Sequence, residues 1–266
     1  MKLSEVKVLV RGAGEVASAI AHKLHRSHFK VCMTEISQPL AVSRGASFCE
    51  AIYEGKMTVE GVTAFLIHSY EEVFTMWDQG NIPLIIDPQM EIKDWLKPDV
   101  LVDAIMAKRN TGVSIADSPF VIGVGPGFCA GRDVHVVVET NNSENLGKVI
   151  FKGEPEPDTG IPLEVGQITS ERAMFAPVEG IFRASRRMGD MIKSGDNVGW
   201  VNDKPVTAQI DGVLRAVLRD KVFVKKGMKL GEVDPRGEVW LVNAIRPRMR
   251  TIAGGVLEAI MNRYNV

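Results

Sequence analysis

The chain has 266 residues, a formal net charge of −1 at pH 7, 45% hydrophobic residues and 24% charged residues. This composition is typical of globular proteins with enough chain for two domains with cores. The near-neutral charge argues against general affinity for nucleic acid or anionic membranes, and no apolar run is long enough to predict a membrane span. The three cysteines are widely spaced and the first five residues lack an apolar leader, so we expect a cytoplasmic protein without a disulfide framework or metal site.

The N-terminal segment has the pattern of a nucleotide-binding turn. A β-branched run at Val6–Val10 predicts a buried strand, and Ser18–His28 has apolar residues at helical spacing. Between them lies Gly12–Ala17, which reads Gly-x-Gly-x-x-Ala. A second strand, Phe29–Thr34, ends at the acidic Glu35. Strand, glycine turn, helix, strand and acid occur in the order that binds a nucleotide.

Each residue of this turn has an expected role. Gly12 allows the tight turn, and Gly14 lets a pyrophosphate approach the backbone at the helix N-terminus. Glu35 can accept hydrogen bonds from ribose hydroxyls and would repel a 2′-phosphate, so NAD or an adenosine nucleotide is expected rather than NADP. Glu15 favours the helix but repels a phosphate, and Arg11 could offset that repulsion. The alternative is that the glycines only turn the chain and Glu35 is solvated.

The chain then alternates between strands and helices, which predicts a mainly parallel sheet. Strands ending at Asp87 and Asp103 would place carboxylates at the same sheet edge as Glu35. The segments expected to be regular are a helix at Phe48–Tyr53, a strand at Lys56–Ile67, a helix at Tyr70–Gln79, a strand at Pro83–Asp87, a helix at Glu91–Leu96 and a strand at Asp99–Ala104.

Several cations lie near this predicted edge. Lys108 and Arg109 follow Asp103 closely, so they suit an anionic ligand. Arg44 lies in a loop marked by Pro39, where it could contact a ligand phosphate. Solvated loops with exposed cations are the alternative for both places.

The segment Phe120–Gly131 is a strand followed by a glycine-rich loop. Gly125 and Gly127 make it a second candidate phosphate loop, although it lacks the Lys-Ser/Thr ending of a Walker loop. Arg132, which follows the loop, would add a positive charge. Cys129 could be a nucleophile or simply a packed thiol.

The next predicted strand, Arg132–Thr140, would place Asp133, His135 and Glu139 on one face and valines on the other. His135 paired with Glu139 or Asp133 could act as a general acid/base or a metal-ligand pair. An edge strand with one solvated polar face is the alternative.

A linker rich in proline and glycine, Lys152–Pro162, separates a second domain that contains an internal repeat. Ala176–Ala184 matches Ala208–Ala216 at an offset of 32 residues. Two such units predict interlocking hairpin sheets that resemble the biotinyl/lipoyl barrel-sandwich hybrid. Lys204 lies near the place of the modified lysine of those carriers, but Pro205 follows it directly, so a structural or docking role is the stronger expectation.

The expected fold class is therefore α/β, a Rossmann-like mainly parallel sheet domain followed by a β-rich barrel-sandwich-hybrid domain. The expected boundaries are 1–153 for the nucleotide-binding domain, 163–251 for the β-rich domain, and 252–266 for a C-terminal helix that packs on a domain. The arginines at 246, 248 and 250 precede this helix and could bind an anion.

Several longer motifs are spread over almost the whole chain. They are Arg11–Gly14, Glu35-Ile36 with Pro39–Val42, Glu50–Gly55, Asp103–Ile105 with Ala107–Asn110, Gly123–Phe128, Arg132–His135, Ala208–Val213 and Gly254–Ile260. Through these motifs the chain resembles the YqeB-like accessory family of selenium-dependent molybdenum hydroxylases. The resemblance implies a role in maturation of these enzymes, with a molybdenum hydroxylase or its cofactor-assembly proteins as partners and molybdopterin as a candidate cargo. It supplies a pathway but no reaction.

Three functions stay open at this point. The first is an accessory protein that binds a nucleotide at Gly12, Gly14 and Glu35 and an anionic cargo near Lys108, Arg109 and Arg132. The second is an NAD-dependent oxidoreductase with His135 as the acid/base. The third is a scaffold that docks the target enzyme without catalysis. Homo-oligomerisation is open in all three.

Overall fold

The computed structural model describes residues 2–162 and 164–265, and the chain forms two compact units. The first, here called the sheet unit, comprises Met1–Pro39, Ser47–Thr159 and Ile245–Val266. The second, the repeat unit, comprises Leu40–Ala46 and Gly160–Ala244. Within the described residues, none of the helices has the length and apolar character needed to cross a membrane.

The sheet unit is built on one mixed sheet of nine strands in the order β3-β4-β5-β2-β1-β6-β7-β8-β9. Neighbours from β4 to β8 pair in parallel, whereas β3 and β9 pair antiparallel at the two edges. The strands are β1 Lys7–Arg11, β2 Lys30–Glu35, β3 Lys56–Val59, β4 Val62–Ile67, β5 Ile82–Ile86, β6 Val100–Asp103, β7 Phe120–Val124, β8 Val136–Val138 and β9 Val149–Ile150.

The central strands are buried because their sequences are almost continuously apolar, as expected for parallel strands covered on both faces. Val8, Leu9 and Val10 of β1 have no exposed surface. The helices that accompany the sheet are α1 Glu15–Arg26, α2 Ala51–Glu54, α3 Glu72–Asp78, α4 Ile92–Leu96 and α5 Pro247–Tyr264. In α1, Ile20 and Leu24 are fully buried, which stabilises the fold by about 1.5–3 kcal/mol for each side chain.

Helix α5 returns from the end of the chain and lies parallel to α1. Glu15 at the start of α1 pairs with Arg246 before α5, with 2.8 Å between Oε1 and Nε. Eight residues further along both helices, Lys23 Nζ lies 3.9 Å from the position that a Cβ would take on Gly254. Because α1 begins just after the carboxyl end of β1, the N-termini of both helices lie at the carboxyl edge of the sheet.

The predicted Rossmann class of the first domain is wrong. The sheet is mixed, with an antiparallel hairpin at one edge and an antiparallel strand at the other. The connection from β6 to β7 contains only the short 3-10 turn Ile115–Asp117. The predicted single strand Lys56–Ile67 is two strands, because Glu60 and Gly61 adopt positive φ and reverse the chain.

The repeat unit consists of two four-stranded antiparallel sheets, β10-β17-β15-β12 and β14-β13-β11-β16. Matching strands of the 32-residue repeat, β11 and β15, lie in different sheets. The strands are β10 Ala173–Phe175, β11 Gly180–Ala184, β12 Met191–Ile192, β13 Asn197–Val201, β14 Lys204–Thr207, β15 Gly212–Val217, β16 Val222–Val224 and β17 Lys229–Asp234.

The predicted barrel-sandwich module that follows the first domain is also wrong as a fold class. The unit takes in Leu40–Ala46 from far earlier in the chain, and the chain leaves it at Ala244 to return to the sheet unit. The predicted limits 163–251 and 252–266 therefore differ from these units at 245–251, and residues 1, 163 and 266 lie outside the described residues. Lys204 is exposed at the start of β14, with Asp203 Oδ2 3.8 Å from its Nζ.

One sheet of the repeat unit carries buried ion pairs. Arg215 on β15 donates to Asp234 on β17 at 2.9 Å, and Arg172 pairs with Glu232. Burial alone would raise the pKa of Asp234, but hydrogen bonds from Arg236 and Arg215 outweigh it and hold that pKa well below its usual range. Asp234 has no exposed surface, so its ionised form depends on these arginines.

Neighbouring glycines of α5 should respond oppositely to alanine. A Cβ on Gly255 would clash with the Gly147 carbonyl oxygen and lie 2.9 Å from Val138 Cγ1, whereas one on Gly254 meets only the flexible end of Lys23. We expect Gly254→Ala to stabilise the fold by about 0.5–1 kcal/mol and Gly255→Ala to destabilise it by about 1–3 kcal/mol. Thermal unfolding of both variants measures this, and equal shifts would contradict the close packing of α5.

The Asp234 ion pairs predict a specific acid sensitivity. Because the folded-state pKa is depressed, the stabilisation is present above the unfolded value of about 3.9 and is lost as the pH falls below it. Asp234→Asn should cost about 3–5 kcal/mol at neutral pH and flatten this acid dependence. Thermal unfolding between neutral and acidic pH measures both effects. The exposed Asp203→Asn serves as the control and should keep the wild-type slope; an unchanged slope in Asp234→Asn would refute the assignment.

Candidate functional site

The Gly12–Gly14 turn lies at the carboxyl edge of the nine-stranded sheet, between β1 and α1. Gly12 has a φ of +97° and donates its N–H to the Thr34 carbonyl at 2.8 Å. A Cβ there would lie 3.1 Å from Ile105 Cγ2 in a strained backbone conformation, so the position requires glycine. Gly14 is the N-cap of α1 with extended backbone, and the first turn of the helix starts directly after it.

Glu35 fixes this turn from the neighbouring strand. Its Oε2 accepts the Ala13 N–H and its Oε1 accepts the Ile36 N–H, both at 2.8 Å. Burial raises the pKa of Glu35, and these two backbone hydrogen bonds oppose the rise. Each carboxylate oxygen has two lone pairs, so one on each remains for a further donor such as a ribose hydroxyl.

The turn is also braced from a segment that sequence reasoning missed. The Ala13 carbonyl accepts from the Cys49 N–H and from Ser18 Oγ, both at 2.9 Å. Ser18 Oγ accepts in turn from the Phe48 N–H at 2.7 Å. A serine in the first turn of a helix commonly bonds to nearby backbone, and that was the available signal.

Arg11 is occupied by a buried ion pair. Its Nη1 lies 2.9 Å from Asp103 Oδ2 and 2.8 Å from Thr111 Oγ1. The side chains of Arg11 and Asp103 are 11% and 1% exposed. Burial raises the pKa of Asp103, which the Arg11 charge opposes. Arg11 and Asp103 were both predicted to contact a ligand, but in the structure they form an ion pair with each other.

The N-terminus of α5 adds two arginines to this edge. Arg246 pairs with Glu15, so the carboxylate that was expected to repel a phosphate is neutralised. Arg248 donates to the Thr140 carbonyl at 3.1 Å from Nε and 2.5 Å from Nη2. Burial lowers the pKa of Arg248, and the negative charge of Glu15 is the largest influence that opposes this. The basic run seen in the sequence thus lies beside the Gly12–Gly14 turn through the parallel packing of α1 and α5.

The second glycine-rich loop is packed against the protein itself. A Cβ on Gly127 would lie 2.5 Å from the backbone N and Cα of Arg109, and one on Gly125 would lie 2.7 Å from Thr140 Oγ1. Gly123 lies against the Phe128 ring. These three glycines are explained by close internal contacts rather than by a ligand.

A cavity of about 390 Å³ nevertheless adjoins this loop and brings three predicted residues together. Its lining residues are Lys108, Pro126, Gly127, Arg132, Glu154, Pro155, Pro157 and Asp158. Lys108 pairs with Asp158 at 2.5 Å, and Arg132 pairs with Asp133 at 3.0 Å and Glu154 at 3.8 Å. An anion entering the cavity would compete with these carboxylates.

Two predicted binding residues lie elsewhere. Arg44 belongs to the repeat unit, where its Nε donates to the Val217 carbonyl at 2.8 Å. Arg109 lies outside this cavity lining and is exposed.

The three predicted catalytic residues are not assembled into one site. The expected strand over Arg132–Thr140 is wrong, because only Val136–Val138 forms β8. His135 and Glu139 flank β8 at opposite ends, about 13 Å apart along an extended chain. Cys129 lies in a turn in which its N–H donates to Asp133 Oδ2 at 2.9 Å.

His135 and Glu139 both bond to backbone. His135 Nδ1 accepts the Val121 N–H at 2.9 Å, and burial followed by the charge of Arg263 lowers the pKa of the imidazole. Glu139 is 1% exposed and accepts the N–H groups of Thr140, Asn141 and Glu156 at 2.6–2.7 Å. His135 therefore ties the segment before β8 to strand β7, and Glu139 holds the loops around Asn141 and Glu156. Among the described residues, no cluster of three or more His, Cys, Asp or Glu could hold a metal.

Comparison with known proteins gives one close sequence relative. The uncharacterized protein YqeB of Escherichia coli (strain K12) is 41% identical over 254 residues, which cover 96% of this chain and 47% of that protein. The chain is thus similar in sequence to YqeB over nearly its whole length. It spans about half the length of this curated relative. No family model matches the sequence.

Solved structures give only distant likenesses to this chain. A succinylglutamate desuccinylase/aspartoacylase from Rhodobacter sphaeroides is 15% identical, covers 86% of this chain and 85% of its own, and has a TM-score of 0.27. TcdA (CsdL) is 9% identical, covers 99% and 90%, and has a TM-score of 0.35. Likenesses of this size carry no information on activity or on fold class.

The internal packing of the glycine-rich loop can be tested with two alanines. Gly127 and Gly131 both have positive φ, but a Cβ on Gly131 would meet nothing within 4 Å. We expect Gly131→Ala to cost about 1 kcal/mol from backbone strain alone and Gly127→Ala to cost at least twice as much because it also displaces Arg109. Chemical denaturation measures both, and equal costs would show that the Arg109 contact is dispensable.

Proposed function

We propose that this chain is an accessory protein in the maturation of selenium-dependent molybdenum hydroxylases and binds a nucleotide, NAD or an adenosine nucleotide, at the Gly12–Gly14 turn. The pathway comes from the YqeB-like resemblance. The observation that carries the binding site is the rigid turn at the sheet edge, where Glu35 holds the Ala13 N–H at 2.8 Å. Its proposed setting is the cytoplasm.

The residues of this edge fit an anionic nucleotide. Two helix N-termini supply partial positive charge at one place, and Arg246 offsets the Glu15 carboxylate. Glu35 keeps a lone pair on each oxygen for ribose hydroxyls, and its negative charge disfavours a 2′-phosphate. The nucleotide would be bound and oriented by these groups, and the reaction that it serves is left open.

The proposed cargo is molybdopterin, which is anionic, and its proposed place is the cavity beside Lys108, Gly127 and Arg132. Both cations are paired with carboxylates of the segment Glu154–Asp158, so an anionic cargo would replace these internal partners. The proposed partners are a molybdenum hydroxylase or its cofactor-assembly proteins. Hydride chemistry through His135 is not favoured, since the imidazole Nδ1 accepts a backbone N–H.

Nucleotide binding can be tested by thermal-shift titration with NAD, NADH, NADP, ATP, ADP, AMP and CTP. A ligand at about 100 times its Kd should stabilise the fold by about 2.7 kcal/mol. Gly14→Asp should abolish the shift, because it places a carboxylate where the phosphate binds while remaining a good N-cap. Glu15→Gln should strengthen binding a few-fold, because it removes a negative charge and releases Arg246.

The unfolding temperature of Gly14→Asp without ligand separates binding from folding. It should equal or slightly exceed the wild-type value, so a lost ligand-induced shift cannot be attributed to a destabilised fold. No shift with any of these nucleotides in the wild-type protein would refute the proposed site.

A further inference from the structure

The two sheets of the repeat unit differ in what covers them. In the sheet β10-β17-β15-β12, every residue of β15 is buried. Strands β15 and β17 of this sheet also contact the chain's own short segments Ser170–Arg172, Arg44–Ala46 and Val239–Asn243. In the sheet β14-β13-β11-β16, the strands β11 and β16 alternate between buried and more exposed residues, and in β13 Trp200 is exposed between two buried neighbours, so the outer face is bare.

This bare face is apolar where a solvated antiparallel sheet would be polar. Ile181 is paired with Phe223 across β11 and β16, and they are 37% and 53% exposed. Trp200, 39% exposed, is paired with Arg183 on one side and with Pro205 on the other. Large apolar residues that are neighbours on one sheet face form a contiguous patch, which is typical of a binding surface. We name Ile181, Arg183, Trp200, Pro205 and Phe223 the outer-face patch.

The internal repeat shows how the equivalent face of the other sheet is covered. At the offset of 32 residues, Arg183 corresponds to Arg215 and Ile181 to Val213. Arg215 is 5% exposed and pairs with the Asp234 carboxylate at 2.9 Å. Asp234 corresponds to Asn202, which is neutral. In the bare sheet the carboxylate is thus missing at the position that would neutralise Arg183.

The strands that carry the outer-face patch contain charged residues of positive sign only. Strands β11, β13, β14 and β16 contain Arg183 and Lys204 and no acidic residue. Within residues 2–162 and 164–265, no carboxylate forms an ion pair with Arg183, which is exposed. A complementary partner therefore brings apolar side chains together with a carboxylate.

We infer that the outer-face patch docks an extended acidic and apolar segment of a partner protein, with the partner's carboxylate on Arg183 in the way that Asp234 lies on Arg215. The inference deepens the proposed function, since it rests on that function for the existence of a partner protein. Single-stranded nucleic acid, which also stacks on aromatic sheet faces, is disfavoured because it needs a positively charged groove along its backbone, and the four strands contain only two cations, Arg183 and Lys204.

The test uses a display library of random linear peptides selected against the purified 266-residue chain. We expect the selected peptides to be enriched in Asp or Glu together with Ile, Val, Leu or Phe. Binding of a selected peptide, followed by the fluorescence of the chain or by calorimetry, should weaken about tenfold or more in Arg183→Glu. Phe223→Ser should weaken it by a similar factor without a change of charge. Arg187→Glu is the matched control, because Arg187 is exposed and lies outside the four strands.

Four results would overturn the inference. They are selected peptides without acidic enrichment, equal binding by wild type and Arg183→Glu, an oligothymidylate that binds the wild type and not Arg183→Glu, and a dimer in sedimentation velocity that Arg183→Glu dissociates. The last two would assign the patch to nucleic acid or to a second copy of this chain. The nucleotide titration run on Arg183→Glu should match the wild type, so failure of the patch and failure of the nucleotide site are read separately.

Discussion

The hydrogen bond from the Ala13 N–H to the Glu35 carboxylate is the interaction on which the candidate site depends. It ties the turn after β1 to the end of β2, and it satisfies the N–H of the fully buried Ala13 just before α1. The Ala13 carbonyl is held at the same time by Cys49 and Ser18. A turn bonded through both its N–H and its carbonyl cannot adapt much to a ligand, so whatever binds there must fit a preformed surface.

The parallel packing of α1 and α5 has an electrostatic consequence for the same edge. Two adjacent parallel helices place their positive dipole ends side by side, which is unfavourable unless negative charge lies nearby. Glu15 supplies that charge within the protein and is shared with Arg246. The positive helix ends are therefore already balanced in part by Glu15, and a ligand anion would compete with Glu15 for the same positive charges.

The sequence predicted the centre of the sheet unit well because its signals are local. The strand at Val6–Val10, the glycine turn, α1 and the strand ending at Glu35 all depend on residues close in sequence, and β1, α1 and β2 lie there. The outcome for α5 could not be predicted in the same way, since its position depends on Gly255 approaching the Gly147 carbonyl across 108 residues of chain. The role of Glu139 was missed for the same reason, because its partner Glu156 belongs to a stretch that reads as a linker.

A sequence motif also gives a wrong prediction when its residue types can serve internal packing as well as ligand binding or catalysis. A glycine cluster indicates close approach to something, but at Gly125 and Gly127 the neighbours are Thr140 and Arg109 of the same chain. Likewise an imidazole and a carboxylate on one strand face indicated acid/base chemistry, whereas both side chains accept backbone N–H groups. Backbone N–H groups of β7 and of the loop after β8 need hydrogen-bond acceptors, and the side chains at the two ends of β8 supply them.

Comparison of the two 32-residue repeat units distinguishes positions that form the core from positions that form the surface. Phe182 and Leu214 occupy matching inward positions and both are fully buried, so the shared core is retained in each half. The outward positions diverge: Trp200 and Asn202 in one half correspond to Glu232 and Asp234 in the other. In the second half these carboxylates are buried with arginines under covering segments, and there the outward residues contribute to stability. In the first half the outward residues are not needed for the core, so their apolar character is available for binding rather than for folding.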